Sequence, residues 1–221
     1  MDAVRHRPAA SDRSGFEAIV RDPCRARHFD SEVVPREDVE HMVSLAMCAG
    51  STCATQAWRL IAVRDASVLA RMRDAVLGRF EQLAQAPGLA LLEHKRAAAR
   101  AQALAFARAP LCIAVVATPM RSPIEELMEL SGMAREELNR LCVRPELQSA
   151  GAAAQVLTTS AHALGYATCW TCAPIVASRE LEELLEVKAP DRLVALVAVG
   201  RSGEQPTASR RLPLERTLSF R

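Results

Sequence analysis

Residues 111–117 read Leu-Cys-Ile-Ala-Val-Val-Ala, an unbroken apolar run. Because no polar residue alternates with the apolar ones, the run is typical of a strand that is covered on both faces. Residues 193–200 have the same character, residues 58–63 are apolar apart from Arg59, and a shorter, mostly apolar stretch at 166–171 follows Gly165. We therefore predict a small sheet built around residues 111–117.

Helical segments separate these strands along the chain. A helix is expected to start near Ser14, and another at Arg36-Glu37-Asp38, where acidic residues suit a helix start. Residues 65–109 are rich in Ala, Leu and Arg, and helices are also expected at 149–162 and 178–185. Short apolar strands separated by helices predict an α+β fold, with a small mixed sheet covered by helices on both sides.

The chain of 221 residues divides into a basic tail, residues 1–14, and one domain, residues 15–221. A length of this order is sufficient for one domain with a hydrophobic core of its own. We expect residues 118–145 to form a lid over a pocket and residues 205–221 to form a C-terminal arm.

Composition and motifs argue against several classes of protein. The net charge of +2 is too small to predict a nucleic-acid partner. No apolar run is long enough to span a bilayer, and the N-terminus lacks the apolar segment of a secretory signal. The sequence also lacks a dinucleotide fingerprint, a phosphate-binding loop and a nucleophile elbow. We expect no membrane partner, a cytoplasmic location and no permanently bound dinucleotide.

Arginines cluster near both ends of the chain. Arg21 and Arg25 are followed closely by Arg27, and Arg210 and Arg211 precede a Leu-Pro-Leu turn. Arginines at positions i and i+4 leaving a helix can converge on one phosphate, and each hydrogen bond to a charged group contributes about 1.5–3 kcal/mol. Either cluster alone is also compatible with a solvated basic segment, but the two together favour a phosphate site.

The loop at residues 51–58 follows a helix and leads into a strand. Its small, hydroxyl-bearing residues would let backbone amides approach a flat heterocycle. A connector without a ligand is the alternative interpretation of this loop.

These segments resemble the nitroreductase family in order and spacing. The family's Arg-Arg-Ser-x-Arg and Val-Pro-x-Glu motifs correspond to residues 21–25 and 34–37. Its Ala-Pro-Ser-x-x-Asn-x-Gln-Pro-Trp loop corresponds to residues 49–58, and its Gly-x-x-Thr-x-Trp segment to residues 165–170. The Arg-x-Pro-Leu-Glu arm follows at 211–215, so the resemblance covers about residues 15–221.

The resemblance implies an FMN-binding homodimer in which residues of both chains line each flavin site. Position by position, it assigns FMN binding to Arg21, Pro23, Arg25, Arg27, Ser51, Ala54, Gln56, Thr171, Cys172, Ala173, Arg210 and Arg211. The arginines correspond to the phosphate clamp, with Arg27 as a possible substitute. Ser51 corresponds to the serine at the isoalloxazine edge, and residues 171–173 to the backbone that passes the reactive ring nitrogen.

The chain departs from the family pattern at two of these positions. Pro23 replaces the clamp serine and removes a hydroxyl and a backbone N–H together. Ala54 replaces the asparagine that reaches the pyrimidine end of the ring. One branch, dimethylbenzimidazole synthase, which consumes FMN, resembles this chain around Trp170. Its members carry aspartate where Pro23 stands, which disfavours that activity.

The activity that the resemblance implies is ping-pong hydride transfer from NAD(P)H through FMN to a small aromatic or quinone-like acceptor, such as a nitroaromatic. The flavin would carry the chemistry, so no catalytic side chain and no metal ion are expected. One alternative is a flavin-binding or flavin-sensing protein with little turnover. Another is a thiol redox protein that uses Cys169 and Cys172, a Cys-x-x-Cys pair whose first cysteine lies in a strand-like stretch.

Overall fold

The computed structural model describes residues 10–21, 25–51, 55–85, 93–141, 144–203 and 211–221. Its strands are β1 (Trp58–Val63), β2 (Leu111–Ala117), β3 (Ala167–Thr171) and β4 (Arg192–Gly200). They form one sheet in the order β1-β2-β4-β3, so β1 and β3 are its edges. The bounds of β1 and β2 are those that the apolar runs predict.

The described α-helices are α1 (Ala10–Arg21), α2 (Arg36–Ala46), α3 (Ala66–Ala84), α4 (Glu93–Ala103), α5 (Pro123–Leu130), α6 (Arg135–Leu141), α7 (Pro145–Ala163) and α8 (Ser178–Leu184). Short 3-10 segments lie at Ala105–Arg108, Ala173–Ala177 and Leu214–Arg216. Among the helices described, none is long and apolar enough to cross a membrane.

Helices cover both faces of the sheet, as predicted. Ile113 and Val115 of β2 pack into a core with α2 and α7, whereas Cys112 and Ala114 pack into a second core with α3 and α8. Successive side chains of a strand point to opposite faces. Residues 111–117 therefore serve two cores, which explains why the run contains no polar residue.

The strand pairing corrects one detail of the expected mixed sheet. The pairs β1–β2, β2–β4 and β4–β3 are all antiparallel. Within the described residues, parallel pairing occurs at an isolated bridge between Arg25 and Thr168. Apolar runs could not reveal this direction, because strands under helices on both faces are apolar in either orientation.

Two helix starts lie earlier than the sequence patterns indicated. The described part of α1 begins at Ala10, before the expected start near Ser14. α7 begins at Pro145, and Ser149 is buried within the helix instead of capping it. Proline is favoured at the first helical position, where its missing N–H has no partner to lose. Gly165 follows the helix with a φ of +79°, as a stop signal requires.

Candidate functional site

The backbone at Arg25 is fixed to the start of edge strand β3. Arg25 forms the parallel bridge with Thr168, and the N–H of Ala26 donates to the Thr168 carbonyl over 3.2 Å. Thr168 is buried, and its hydroxyl shares a hydrogen bond of 2.9 Å with Nε2 of His162. The Arg25 side chain is exposed beside this strand. The sheet therefore positions one of the expected clamp arginines.

The two arginine clusters meet at the end of α1. A terminal nitrogen of Arg211 donates to the carbonyl oxygen of Arg21 over 3.4 Å, which brings the two ends of the chain together. The Arg21 side chain is 79% exposed and lies 3.5 Å from Glu17. Arg27 is also exposed. Pro23 and Arg210 lie outside the described residues.

The segment that follows β3 is shaped by the Thr171 hydroxyl. This buried hydroxyl donates to the Gln102 carbonyl over 3.4 Å and accepts from the N–H of Ala173 over 3.3 Å. Ala173 is half-buried and Cys172 is exposed. From Thr168 to Thr171, three strand steps of about 3.3 Å span about 10 Å. Edge strand β3 thus links the Arg25 position to the expected ring position.

Residues 55–57, which lead into β1, lie at the opposite edge of the sheet. Ser51 is half-buried, whereas Gln56 is exposed and its amide nitrogen donates to the Trp58 carbonyl over 3.3 Å. Ala54 lies outside the described residues. β1 and β3 are separated by two strands, which corresponds to about 14 Å at a spacing of about 4.8 Å. Within one chain, the two expected ring-binding segments therefore adjoin different edges of the sheet.

Arg201 is a site residue that the sequence did not reveal. Its guanidinium lies 4.3 Å from the centre of the Tyr166 ring and donates to the carbonyls of Leu164 and Gly165 over 3.2 and 2.7 Å. Its own carbonyl accepts from the N–H of Asp30 over 2.9 Å. Arg201 therefore ties the loop that follows Arg25 to the turn that opens β3.

Tyr166 links the turn that opens β3 to α2. Its ring is buried, and its hydroxyl donates to the carboxylate of Asp38 in α2 over 2.5 Å. Burial and the hydrogen bond to Asp38 raise the pKa of Tyr166 to about 12. The Gly165-Tyr166 pair was visible in the sequence, but no spacing connects it to Asp38 or Arg201.

A buried ion pair lies at the start of α7. The Glu146 carboxylate is 2% exposed and lies 2.8 Å from a terminal nitrogen of Arg192, at the start of β4. A buried carboxylate without such a partner would be strongly unfavourable, so this pair holds α7 against the sheet.

The cysteines of the alternative thiol mechanism are placed by β3. Cys169 is half-buried within the strand, and Cys172 is exposed after its end. Cys112 and Cys169 both pair with Ala198, so their Cα atoms are about two strand spacings, roughly 10 Å, apart. That separation is too large for a disulfide. Across the residues described, no group of three or more His, Cys, Asp or Glu side chains could hold a metal ion.

Comparison with known proteins identifies the family. The family model described as "Nitroreductase family" matches residues 24–201, most of the chain. The chain belongs to the nitroreductase family. The matched range contains the start of β3, the loop before β1 and Arg201, whereas Arg211 of the arm lies beyond it.

Solved structures share the nitroreductase fold. A BluB-like flavoprotein from Clostridium difficile 630 is 23% identical, with a TM-score of 0.82 over 89% of this chain and 94% of its own. A nitroreductase with bound FMN from Desulfitobacterium hafniense DCB-2 is 19% identical, with a TM-score of 0.68 over 93% of this chain and 97% of its own.

An NADPH:FMN oxidoreductase from Vibrio harveyi, complexed with NAD+, is 12% identical, with a TM-score of 0.65 over 93% of this chain and 76% of its own. A search of curated proteins gives no match. At these identities the structural likeness shows the fold, and the family supports a flavin oxidoreductase in general terms.

Proposed function

We propose that this nitroreductase-family chain is an FMN-dependent oxidoreductase that takes hydride from NAD(P)H and reduces a small nitroaromatic or quinone-like acceptor in a ping-pong cycle. The observation that carries the proposal is the convergence of Arg21 and Arg211 from opposite ends of the chain. The bound FMN of the Desulfitobacterium nitroreductase and the NAD+ of the Vibrio oxidoreductase support the choice of cofactor and donor.

The donor chemistry of the arginine cluster fits the phosphate of FMN. Arg21, Arg25 and Arg211 present exposed guanidinium groups, which form paired hydrogen bonds with phosphate oxygens. Arg25 enters this arrangement with its backbone already fixed on β3. We propose that these three residues, with Arg210 and with Arg27 as the substitute, hold the phosphate.

The segment at residues 171–173 is proposed to pass the ring. Thr171 holds its backbone in place through Gln102 and Ala173, and the exposed Cys172 offers a main-chain contact without a required thiol role. The chemistry that FMN supplies when bound is reversible two-electron transfer, with a nicotinamide as the donor. The residues of this chain then bind and orient, and no side-chain nucleophile or base is assigned.

We further propose that the protein acts as a homodimer. Gln56 adjoins the edge of the sheet opposite to residues 171–173, so a second copy can bring its own loop to a shared site. The arm exposes apolar side chains that a partner would cover, namely Leu212, Leu214, Leu218 and Phe220. The cytoplasmic location and the separate tail at residues 1–14 stay predictions.

Anaerobic reduction of the flavin-loaded protein tests the proposed function. NADH or NADPH should bleach the oxidised flavin absorbance, and a quinone or nitroaromatic added afterwards should restore it. A matched run with free FMN and the same donor measures the background rate. Bound flavin that is reduced no faster than free FMN would favour the alternative of a binding or sensing protein. A spectrum that is lost and does not return would show that the added acceptor does not take electrons from the reduced flavin, which would contradict the proposed acceptor class.

A further inference from the structure

A cavity of about 430 Å³ lies near the end of the sheet where β1 ends and β2 begins. It is open to solvent on one side and is lined by the loop at residues 29–33, the first turns of α3, and residues 107–110 before β2. We call it the basic cavity, because Arg64, Arg73 and Arg108 all contribute to its lining. Its volume falls within the range of about 300–1,000 Å³ that small-molecule sites occupy.

The floor of the basic cavity is apolar and rigid. Phe29, Val33, Leu69 and Pro110 contribute to its lining. A Cβ at Gly200 would lie 2.8 Å from Cδ of Pro110 and 3.2 Å from Cδ1 of Phe29. Glycine at this buried position therefore allows both rings to pack directly on the end of β4, and the floor is part of the sheet's packing.

The charge around the floor is unbalanced. Arg73 is paired with Asp74 at 2.8 Å, and Arg108 lies 2.9 Å from Nε2 of His28. In the part of the chain that the structure describes, Arg64 makes no ion pair or hydrogen bond through its side chain. Asp30 is the one carboxylate among the lining residues. Among the described residues, Arg64 and Arg108 thus have no carboxylate partner, and the lining holds one carboxylate, Asp30.

The carboxylate next to Arg64 in the sequence is hydrogen-bonded to the start of α3 and not to Arg64. Asp65 caps α3 and accepts from the N–H and hydroxyl of Ser67 over 2.7 and 2.6 Å. These hydrogen bonds lower the pKa of Asp65, which serves as the N-cap of α3. Arg64 is left available at the rim of the basic cavity.

We propose that the basic cavity binds a small organic anion, a carboxylate carried on a single apolar ring, with the carboxylate toward Arg64 and Arg108 and the ring on the Phe29–Pro110 floor. A guanidinium fork matches the geometry of a carboxylate, and the apolar floor favours a ring over a bare inorganic anion. None of the residues that line the basic cavity is among the residues assigned to FMN binding, and the assignment does not rest on the proposed function.

Calorimetric titration of the purified full chain tests this assignment, with benzoate as the probe and benzamide as its neutral counterpart. Benzoate should bind about tenfold or more tightly than benzamide, because charge-assisted hydrogen bonds are lost with the amide. Binding should weaken as salt rises, since both arginines are exposed to solvent. Equal affinity for benzoate and benzamide would overturn the proposal.

Three variants locate the probe. Arg64→Ala should weaken benzoate binding about fivefold or more, and Ala70→Leu should abolish it by filling the floor from α3. Arg71 is an exposed arginine of α3 that does not line the cavity, so Arg71→Ala should leave binding unchanged. Circular dichroism of each variant confirms the fold. Weakening by Arg71→Ala as large as that by Arg64→Ala would show nonspecific charge attraction and overturn the site.

A second arm separates the basic cavity from the proposed flavin site. Titrations are run without FMN and with FMN at saturation, and the benzoate affinity should be the same in both. Benzoate binding that FMN abolishes and that Arg64→Ala leaves unchanged would place the probe in the flavin site and refute the assignment. Failure of FMN to bind at all would count against the proposed function alone.

Discussion

The two sides of the proposed phosphate site are held in different ways. On the N-terminal side, Arg25 bridges to Thr168, and Arg201 ties the following loop to the turn before β3. On the C-terminal side, Arg211 belongs to an exposed arm and touches the carbonyl of Arg21 over 3.4 Å. The first side is built into the sheet, and the second rests against its surface.

This difference separates folding from binding. Substitutions on the N-terminal side should change the free energy of unfolding as well as FMN affinity, because the same contacts serve both. Substitutions on the C-terminal side should change FMN affinity alone.

The largest expected effect is on FMN affinity at the exposed arm. Arg211→Ala should weaken FMN binding by about 1–3 kcal/mol, roughly 5- to 150-fold in Kd, through loss of a charge-assisted hydrogen bond. Thermal unfolding without flavin should be unchanged. Flavin fluorescence titration measures the affinity, and Arg216→Ala, also exposed on the arm, is the matched control. Equal losses in the two variants would show a general charge effect.

The second effect is on stability at the embedded side. Arg201→Ala should lower the free energy of unfolding by about 1–2 kcal/mol, because it leaves the carbonyls of Leu164 and Gly165 without their donor. Arg59→Ala is the control, since its side chain is 43% exposed, against 38% for Arg201, and pairs with Asp191 at 3.2 Å. An exposed pair of that kind contributes about 0–1 kcal/mol. A larger loss in the free energy of unfolding for Arg59→Ala than for Arg201→Ala, measured by urea unfolding, would contradict the difference between the two sides.

The third effect is a pH dependence at Tyr166. Its pKa is raised from 10.0 to about 12, so its stabilising contribution is fully present below pH 10 and is lost as the pH rises through about 12. Tyr166→Phe should lower stability at neutral pH by about 0.5–1.5 kcal/mol through loss of the bond to Asp38. The variant should also lose less stability than the natural protein above pH 10.

Ultraviolet absorbance reports this titration directly, because Tyr166 is the only tyrosine of the chain. Ionisation near pH 10 in the folded protein would contradict the buried, hydrogen-bonded placement.

The smallest effect is expected at the cysteines. Replacing Cys169 and Cys172 together by serine should leave NAD(P)H oxidation within a few-fold, because the flavin carries the electrons. Any loss should reflect a partly buried hydroxyl costing about 1–3 kcal/mol of stability. Steady-state turnover at equal flavin content is the measurement. A loss of a hundredfold or more with FMN still bound would instead support the dithiol mechanism.

The sequence revealed most of the fold because its apolar runs are long and bounded. β1 and β2 were predicted to the residue, and coverage of both faces followed from the unbroken run at 111–117. Strand direction was not available, since covered strands are apolar in either orientation. The sequence pattern misses the start of α7, because it assigns Pro145 to the end of the lid, although proline favours a first helical turn.

The site was predicted as a set of residues and not as an arrangement. The meeting of Arg21 with Arg211 joins chain ends that no spacing connects. Gln56 and Thr171 lie at opposite edge strands, and this depends on strand order, which apolar patterns do not encode. Arg201 acts through its guanidinium on carbonyl oxygens, and such contacts leave no motif in the sequence.

The affinity of the natural protein for FMN compared with riboflavin tests whether the arginines at the two ends of the chain hold the phosphate of FMN. The two ligands share the isoalloxazine ring and the ribityl chain and differ in the phosphate, so the ratio of their Kd values isolates the arginine clamp. FMN should bind at least about tenfold more tightly than riboflavin, because riboflavin lacks one or more charge-assisted hydrogen bonds. The ratio of the two Kd values should fall as salt rises. Equal affinity for FMN and riboflavin would contradict the arginine clamp.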